Sequence, residues 1–263
     1  MKLSGRKEAT RVENWADEQR HIPVPEGYRL ESDAAADPGA GDAEGSPYFC
    51  HLDFFNAVST DRLTILPRFR TYQQTRPYSC ASAVALMVLE HFGRSDWEEL
   101  EIADVMASYH GLPPETRRPV PVSDLARFFL DLGWKVSSNV EYTKPFDAEE
   151  LTRPWLLSPY ASFPSERHFS RFCRWCLRHN WPMMVENIDW GGHWRLIVGY
   201  DTMGTETLAD DVLILVDPHD TADHCQDGFV VEHLEKFFHT WYDIFVMEPH
   251  ERLQPWVVAY PSE

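Results

Sequence analysis

Three residues of this chain, a cysteine, a histidine and an aspartate, have the types and the order needed for acyl transfer. Cys80 opens an apolar run that ends at Gly93, His193 lies in Gly191-Gly-His-Trp194, and Asp217 follows the run Leu213-Ile-Leu-Val. A thiol attacks a carbonyl only as the thiolate, and the ordinary pKa of a cysteine thiol is about 8.5. A nucleophilic cysteine at this position therefore needs neighbours that stabilise its anion.

The predicted surroundings give each residue a role. Cys80 begins a predicted helix, where the positive end of the helix dipole favours an anion. His193 could act as general base and then as acid to the leaving group, and Asp217 could orient the imidazole. The backbone N–H of Cys80 and the side-chain amide of Gln74 could stabilise the oxyanion. Gln73 is an alternative to Gln74, because adjacent residues of an extended segment face opposite sides.

The same residues resemble the C39-like cysteine peptidases of the papain-like superfamily. The likeness consists of Gln74 six residues before Cys80, the block that runs from Asn180 to Asp201, and Val216-Asp-Pro218, and it covers roughly residues 67–247. The chain has alanine after Cys80 where the family usually has glycine.

This resemblance implies a papain-like α+β fold, in which a helical first half packs on an antiparallel sheet. It also implies that Cys80, His193 and Asp217 form a catalytic triad and that Gln74 forms the oxyanion hole. The expected reaction is hydrolysis of a peptide or isopeptide bond through a thiol acyl-enzyme, and no cofactor is implied.

Hydrophobic periodicity and glycine stops predict the elements that position these residues. Helices are predicted at 80–92, 95–110, 122–132, 165–178 and 232–239. Strands are predicted at 134–140, 183–188, 194–200, 212–216, 229–231 and 241–247.

Composition restricts the partners and the compartment. The 263 residues carry a formal net charge of −18, which disfavours nucleic acid and anionic lipid and would attract a cationic peptide or protein substrate. No apolar run approaches the roughly 18 residues of a membrane span, and the first residues do not resemble a secretory signal. Five irregularly spaced cysteines favour a reducing, cytoplasmic location.

The domain organisation follows from a change in composition. Residues 31–47 are small, acidic and rich in Pro and Gly, which is typical of a flexible linker. We therefore predict an N-terminal extension at 1–47 and a catalytic domain at 48–263.

Several alternatives stay open at this level. Trp190 and Trp194 flank His193 and could line the substrate cleft or belong to the core. Cys173 and Cys176, like the segment 217–225, have metal-like spacing, but a closed zinc site needs four ligands, and we predict no metal. An acyltransferase or amidase acting on a small amide would use the same triad. A non-catalytic peptide-binding module would use the same cleft, and a metallohydrolase would be built on 217–225.

Overall fold

The computed structural model describes residues 52–140, 163–188, 191–220 and 227–262. The predicted extension at 1–47, Trp190 and the greater part of the 217–225 segment lie outside the described residues.

Helices and strands both contribute to the described part of the chain. The helices are Cys80–His91 (α1), Glu99–Ser108 (α2), Val122–Asp131 (α3), Glu166–Arg178 (α4) and Leu234–Thr240 (α5). The strands are Leu63–Ile65 (β1), Lys135–Ser138 (β2), Met183–Asn187 (β3), His193–Asp201 (β4), Val212–Val216 (β5), Phe229–His233 (β6) and Trp256–Tyr260 (β7).

The strands form one antiparallel sheet in the order β2-β7-β3-β4-β5-β6, and β1 pairs with β4 outside this path. β4 is the longest strand, and it pairs with β3 over its first half and with β1 over its last three residues. Three helices precede most of the strands along the chain. The predicted combination of helices with an antiparallel sheet is confirmed.

Helix α1 is the central helix of the core. Nine consecutive residues, Ala81–Leu89, are buried, because the sequence is apolar around the whole helix and not along one stripe. The helix packs against α2 and against β4, and Gly93, at a φ of +79°, follows its C-cap. This packing sets the N-terminus of α1, and with it Cys80, beside the strand that begins at His193.

The structure corrects two of the predicted elements. The helix predicted from Ser95 begins only at Glu99, because Glu98 is extended (φ −114°, ψ 150°). The strand predicted at 241–247 is a loop with a single bridge between Tyr242 and Leu253. Asp243 causes this difference, because its Oδ1 accepts the backbone N–H groups of Phe245 and Val246 and closes a turn.

None of the helices in the described part of the chain combines the length and the apolar character that a membrane span requires.

Candidate active site

A tight turn presents Cys80 at the first residue of α1. The backbone N–H of Ser79 and its hydroxyl both donate to the carbonyl of Arg76, at 3.2 Å and 2.9 Å. The Ser79 hydroxyl also accepts from the backbone N–H of Arg76 at 3.1 Å and makes no capping bond to the helix. The first N–H groups of a helix have no intrahelical partner, so the start of α1 can stabilise an anion at Cys80.

Glu99, the first residue of α2, stabilises this turn through hydrogen bonds. It is fully buried, and its carboxylate accepts the backbone N–H of Thr75 at 2.9 Å. Burial raises its pKa, while hydrogen bonds from Ser79 and Thr75 act in the opposite direction. Glu99 was not predicted to contribute to the site, because nothing in its local sequence indicates a contact with a turn 24 residues earlier.

His193 and Asp217 form a buried pair at the ends of two neighbouring strands. His193 is the first residue of β4, and Asp217 directly follows β5. The His193 Nε2 and the Asp217 Oδ1 are 2.6 Å apart, and the two residues are 5% and 2% exposed. The antiparallel pairing of β4 with β5 therefore brings together two residues that are 24 positions apart.

Asp217 is held by its own loop as well as by His193. Its Oδ1 accepts the backbone N–H groups of His219 at 2.8 Å and Asp220 at 3.2 Å. Burial would raise the pKa of Asp217. The charge of His193, the hydrogen bond between them and the more distant Arg195 outweigh burial and hold this pKa well below its usual range. Asp217 is therefore an ionised acceptor that fixes the orientation of the His193 ring.

The thiol of Cys80 also acts on the ring of His193, since its hydrogen bonding and its charge both raise the pKa of His193. Because Nε2 is bonded to Asp217, Nδ1 is the nitrogen that remains for the sulfur. Burial lowers the pKa of His193, but Asp217 and then Cys80 outweigh it and raise this pKa to about 10. His193 is therefore expected to be an imidazolium at neutral pH.

Gln74 lies in the extended segment before the turn and is joined to the Asp217 loop. Its backbone N–H donates to the carbonyl of Pro218 at 2.9 Å, and its side-chain Nε2 donates to the carbonyl of Arg76 at 2.9 Å. The side chain is buried, and its Oε1 has no donor among the described residues. A primary amide carries two N–H groups, so one remains beyond the bond to Arg76. Gln73 is buried as well.

A cleft of about 430 Å³ opens beside Cys80. Cys80 is partly exposed, unlike the fully buried Cys173 and Cys176. The lining residues are Pro77, Tyr78, Cys80, Arg117–Val120, Glu186, Gly191, Gly192, Trp194 and Val246. A carbonyl compound in this cleft would have access to the sulfur.

Gly192 forms the part of the cleft wall just before His193, where a side chain has no room. Its φ is +104°, and an added Cβ would lie 2.5 Å from Asp243 Oδ2 and from Val246 Cγ2. It would also lie 2.9 Å from Glu186 Oε1. Gly191 has a φ of +82°, but an added Cβ would meet nothing within 4 Å.

The other predicted residues have mainly structural contacts. Trp194 lines the cleft but is 2% exposed, and its Nε1 donates to the carbonyl of Val120 at 2.9 Å. Trp194 is therefore a rigid part of the cleft wall, held in place by its hydrogen bond to Val120. Cys173 and Cys176 lie in the core on α4, where burial raises the pKa of both thiols. The described residues contain no cluster of three or more potential metal ligands.

Two acidic residues that the sequence analysis did not select lie beside Gly192, and one of them, Glu186, lines the cleft. Glu186 is the only acid in β3 and stands directly opposite Trp194 of β4. Its Oε1 and the Oδ2 of Asp243 would lie 2.9 Å and 2.5 Å from a Cβ added at Gly192. A lone acid in a strand otherwise made largely of apolar residues is a signal that sequence reasoning could have used, because an unpaired buried charge is rare. Asp243 carries no such signal.

Comparison with known proteins gives one distant likeness. No protein-family model matches the sequence, and no curated protein matches it. Among solved structures, the chain is similar to the peptidase domain of Streptococcus ComA, a bi-functional ABC transporter involved in a quorum sensing pathway. The two are 15% identical with a TM-score of 0.41, over 74% of this chain and 99% of that chain.

Proposed function

We propose that this protein is a papain-like cysteine peptidase that hydrolyses a peptide or isopeptide bond through a thiol acyl-enzyme. The observation that carries the proposal is the pairing of the His193 ring with Asp217 at 2.6 Å, together with the influence of the Cys80 thiol on the pKa of that ring. The cleft beside Cys80 gives a substrate access to the sulfur.

In the acylation step, the thiolate of Cys80 attacks the carbonyl carbon of the substrate. The new C–S bond places a negative charge on the carbonyl oxygen, which accepts from the backbone N–H of Cys80 and from the amide of Gln74. The oxyanion collapses and the C–N bond breaks. His193, protonated in the resting pair, gives its proton to the departing amine.

In the deacylation step, neutral His193 takes a proton from water, and the resulting hydroxide attacks the thioester. Collapse of the second oxyanion breaks the C–S bond and releases the carboxylic acid. His193 returns to the imidazolium form beside the thiolate. Asp217 stays ionised throughout, and it holds the ring so that the same nitrogen faces the sulfur and then the water.

The experiment is digestion of a peptide library by the full-length protein, with new termini identified by mass spectrometry. We expect cleavage that requires Cys80 and is lost in C80A, while the circular dichroism spectrum stays that of the wild type. Cleavage that persists in C80A would overturn the proposal.

The same digestion distinguishes hydrolysis from the alternatives. With an added primary amine, an acyltransferase would yield amide products in place of free carboxylates. A metallohydrolase would lose activity after treatment with a chelator and not after C80A. A non-catalytic binding module would retain peptides without cutting them in both variants.

A further inference from the structure

Glu186 is a buried acid in the cleft that the acyl-transfer scheme does not use. It is 1% exposed, lines the same cleft as Cys80 and lies on the strand next to His193. A buried carboxylate without a compensating partner is costly. The groups around Glu186 therefore determine whether it is ionised.

Asp243, from the loop after α5, faces the carboxyl of Glu186. Its Oδ1 already accepts the backbone N–H groups of Phe245 at 2.5 Å and Val246 at 3.1 Å. Its Oδ2 is buried and accepts no hydrogen bond from an N–H or hydroxyl group of the described residues. This Oδ2 and Glu186 Oε1 both lie close to Gly192, at 2.5 Å and 2.9 Å from where a Cβ would stand. A proton shared between two buried carboxyl groups avoids the cost of holding both of them ionised.

Most of the groups around Glu186 raise its pKa and so favour its neutral form. Burial, then the hydrogen bond and charge of Asp243, then the charge of Cys80 raise the pKa of Glu186 to about 12, against a small opposing effect of the His193 backbone N–H. Two cations line the cleft. Arg118 is paired with Asp124, and Arg117 is exposed.

We propose that Glu186 and Asp243 share one proton, and that this bridge makes Glu186 a neutral positioning residue beside Cys80. The bridge joins β3 to the 243–246 turn, which carries Val246 into the cleft wall. It also keeps a second negative charge away from the thiolate. This role rests on the proposed function of Cys80 as the nucleophile.

The shared proton predicts different effects on Cys80 for two substitutions that each replace a carboxyl group by an amide. In E186Q, a neutral amide replaces the neutral acid, so the charge near Cys80 does not change. In D243N, the amide oxygen of the new side chain can still accept from Phe245 and Val246, but its NH₂ group donates toward Glu186. A donor in place of the acceptor favours the ionised form of Glu186. Ionised Glu186 then disfavours the Cys80 thiolate.

The test is the pH profile of Cys80 alkylation by iodoacetamide in the full chain. We expect the profile of D243N to move to higher pH, with alkylation about tenfold slower on its rising limb for a shift of about one pH unit. The E186Q profile should overlay that of the wild type, and the double variant E186Q/D243N should return to it. A D243N profile that coincides with the wild type, or an E186Q profile that shifts as far as D243N, would overturn the proposal.

An infrared measurement tests the shared proton without using the reactivity of Cys80. Protein labelled with ¹³C at glutamate should show, at neutral pH, a carbonyl band of a protonated carboxylic acid that is absent from the spectrum of E186Q. Absence of this band contradicts the proposal even if C80A abolishes cleavage. If the band is present but the protein cleaves no peptide, the proposed function is wrong and the shared proton is still supported. If D243N does not fold, the band and the E186Q profile decide.

Discussion

The backbone N–H of Gln74 donates to the carbonyl of Pro218 at 2.9 Å, and this bond joins the two halves of the candidate site. Gln74 belongs to the segment that leads to Cys80, and Pro218 follows Asp217 directly. The segment that presents the nucleophile is thereby fixed to the loop that orients His193. The bond involves only backbone atoms, so either side chain can be changed without removing it.

This arrangement allows the oxyanion role of Gln74 to be tested against its neighbour. Q74A should lower kcat for a peptide found in the library digestion by about 10²–10³, the usual effect of losing one oxyanion donor. Alkylation of Cys80 by iodoacetamide forms no oxyanion and should keep its rate.

Q73A is the matched control for Q74A, because Gln73 is adjacent and also buried. It should leave kcat near the wild-type value. A large loss in Q73A with little loss in Q74A would transfer the oxyanion role to Gln73.

The two glycines before His193 provide a matched pair for the cleft wall. Both have a positive φ, so alanine at either position introduces backbone strain of roughly 1–3 kcal/mol. Only G192A also places a Cβ against Asp243, Val246 and Glu186, and this overpacking should cost about 1–3 kcal/mol more. Denaturant unfolding of the two variants measures the difference. Equal destabilisation by G191A and G192A would show that Gly192 is not packed against the carboxyl pair.

The pairing of His193 with Asp217 predicts a pH dependence of stability. The pKa of His193 is raised in the folded protein to about 10 from an unfolded value of about 6.5. Its contribution is therefore fully present below the unfolded pKa and is lost as the pH rises toward the folded pKa.

The measurement for this pairing compares the free energy of unfolding of the wild type with that of H193Q across the same pH range. The difference should be largest below about pH 6.5 and should shrink as the pH approaches about 10. A difference that is constant with pH would mean that His193 is not charged in the folded state.

Local elements near the site were predictable because short-range patterns determine them. The apolar run after Cys80 and Gly93 predicted a helix at 80–92, and α1 spans Cys80–His91. The strand predicted at 194–200 is β4, which begins one residue earlier at His193, and the strand before Asp217 was predicted with its observed bounds, since both are short apolar runs bounded by turns. The predicted triad remains a proposal. His193 pairs with Asp217, and Cys80 is among the groups that raise the pKa of His193.

The parts that sequence reasoning missed depend on contacts between distant segments. β7 was not predicted, although it lies between β2 and β3 in the sheet. The turn at 243–246 replaces a predicted strand because Asp243 binds its own backbone. The support of the Cys80 turn by Glu99 and the contact between Glu186 and Asp243 join residues 24 or more positions apart. The hydrophobic periodicity of a segment contains no information on contacts between residues that are far apart in the sequence.

The reactivity of Cys80 is the most direct test of its proposed role as the nucleophile. In a C50S/C225S background, Cys80, Cys173 and Cys176 remain, and limited alkylation by iodoacetamide at mildly acidic pH can be followed at each site by mass spectrometry. We expect Cys80 to be modified at least about tenfold faster than the two buried thiols, because only a thiolate reacts and burial suppresses it. Greater exposure alone would also make Cys80 react faster than the buried thiols, so the H193A variant is measured in the same background. The H193A substitution should remove most of the reactivity of Cys80 at mildly acidic pH. Similar rates at all three cysteines, or a Cys80 rate that H193A leaves unchanged, would contradict the assignment of Cys80 as a nucleophile activated by His193.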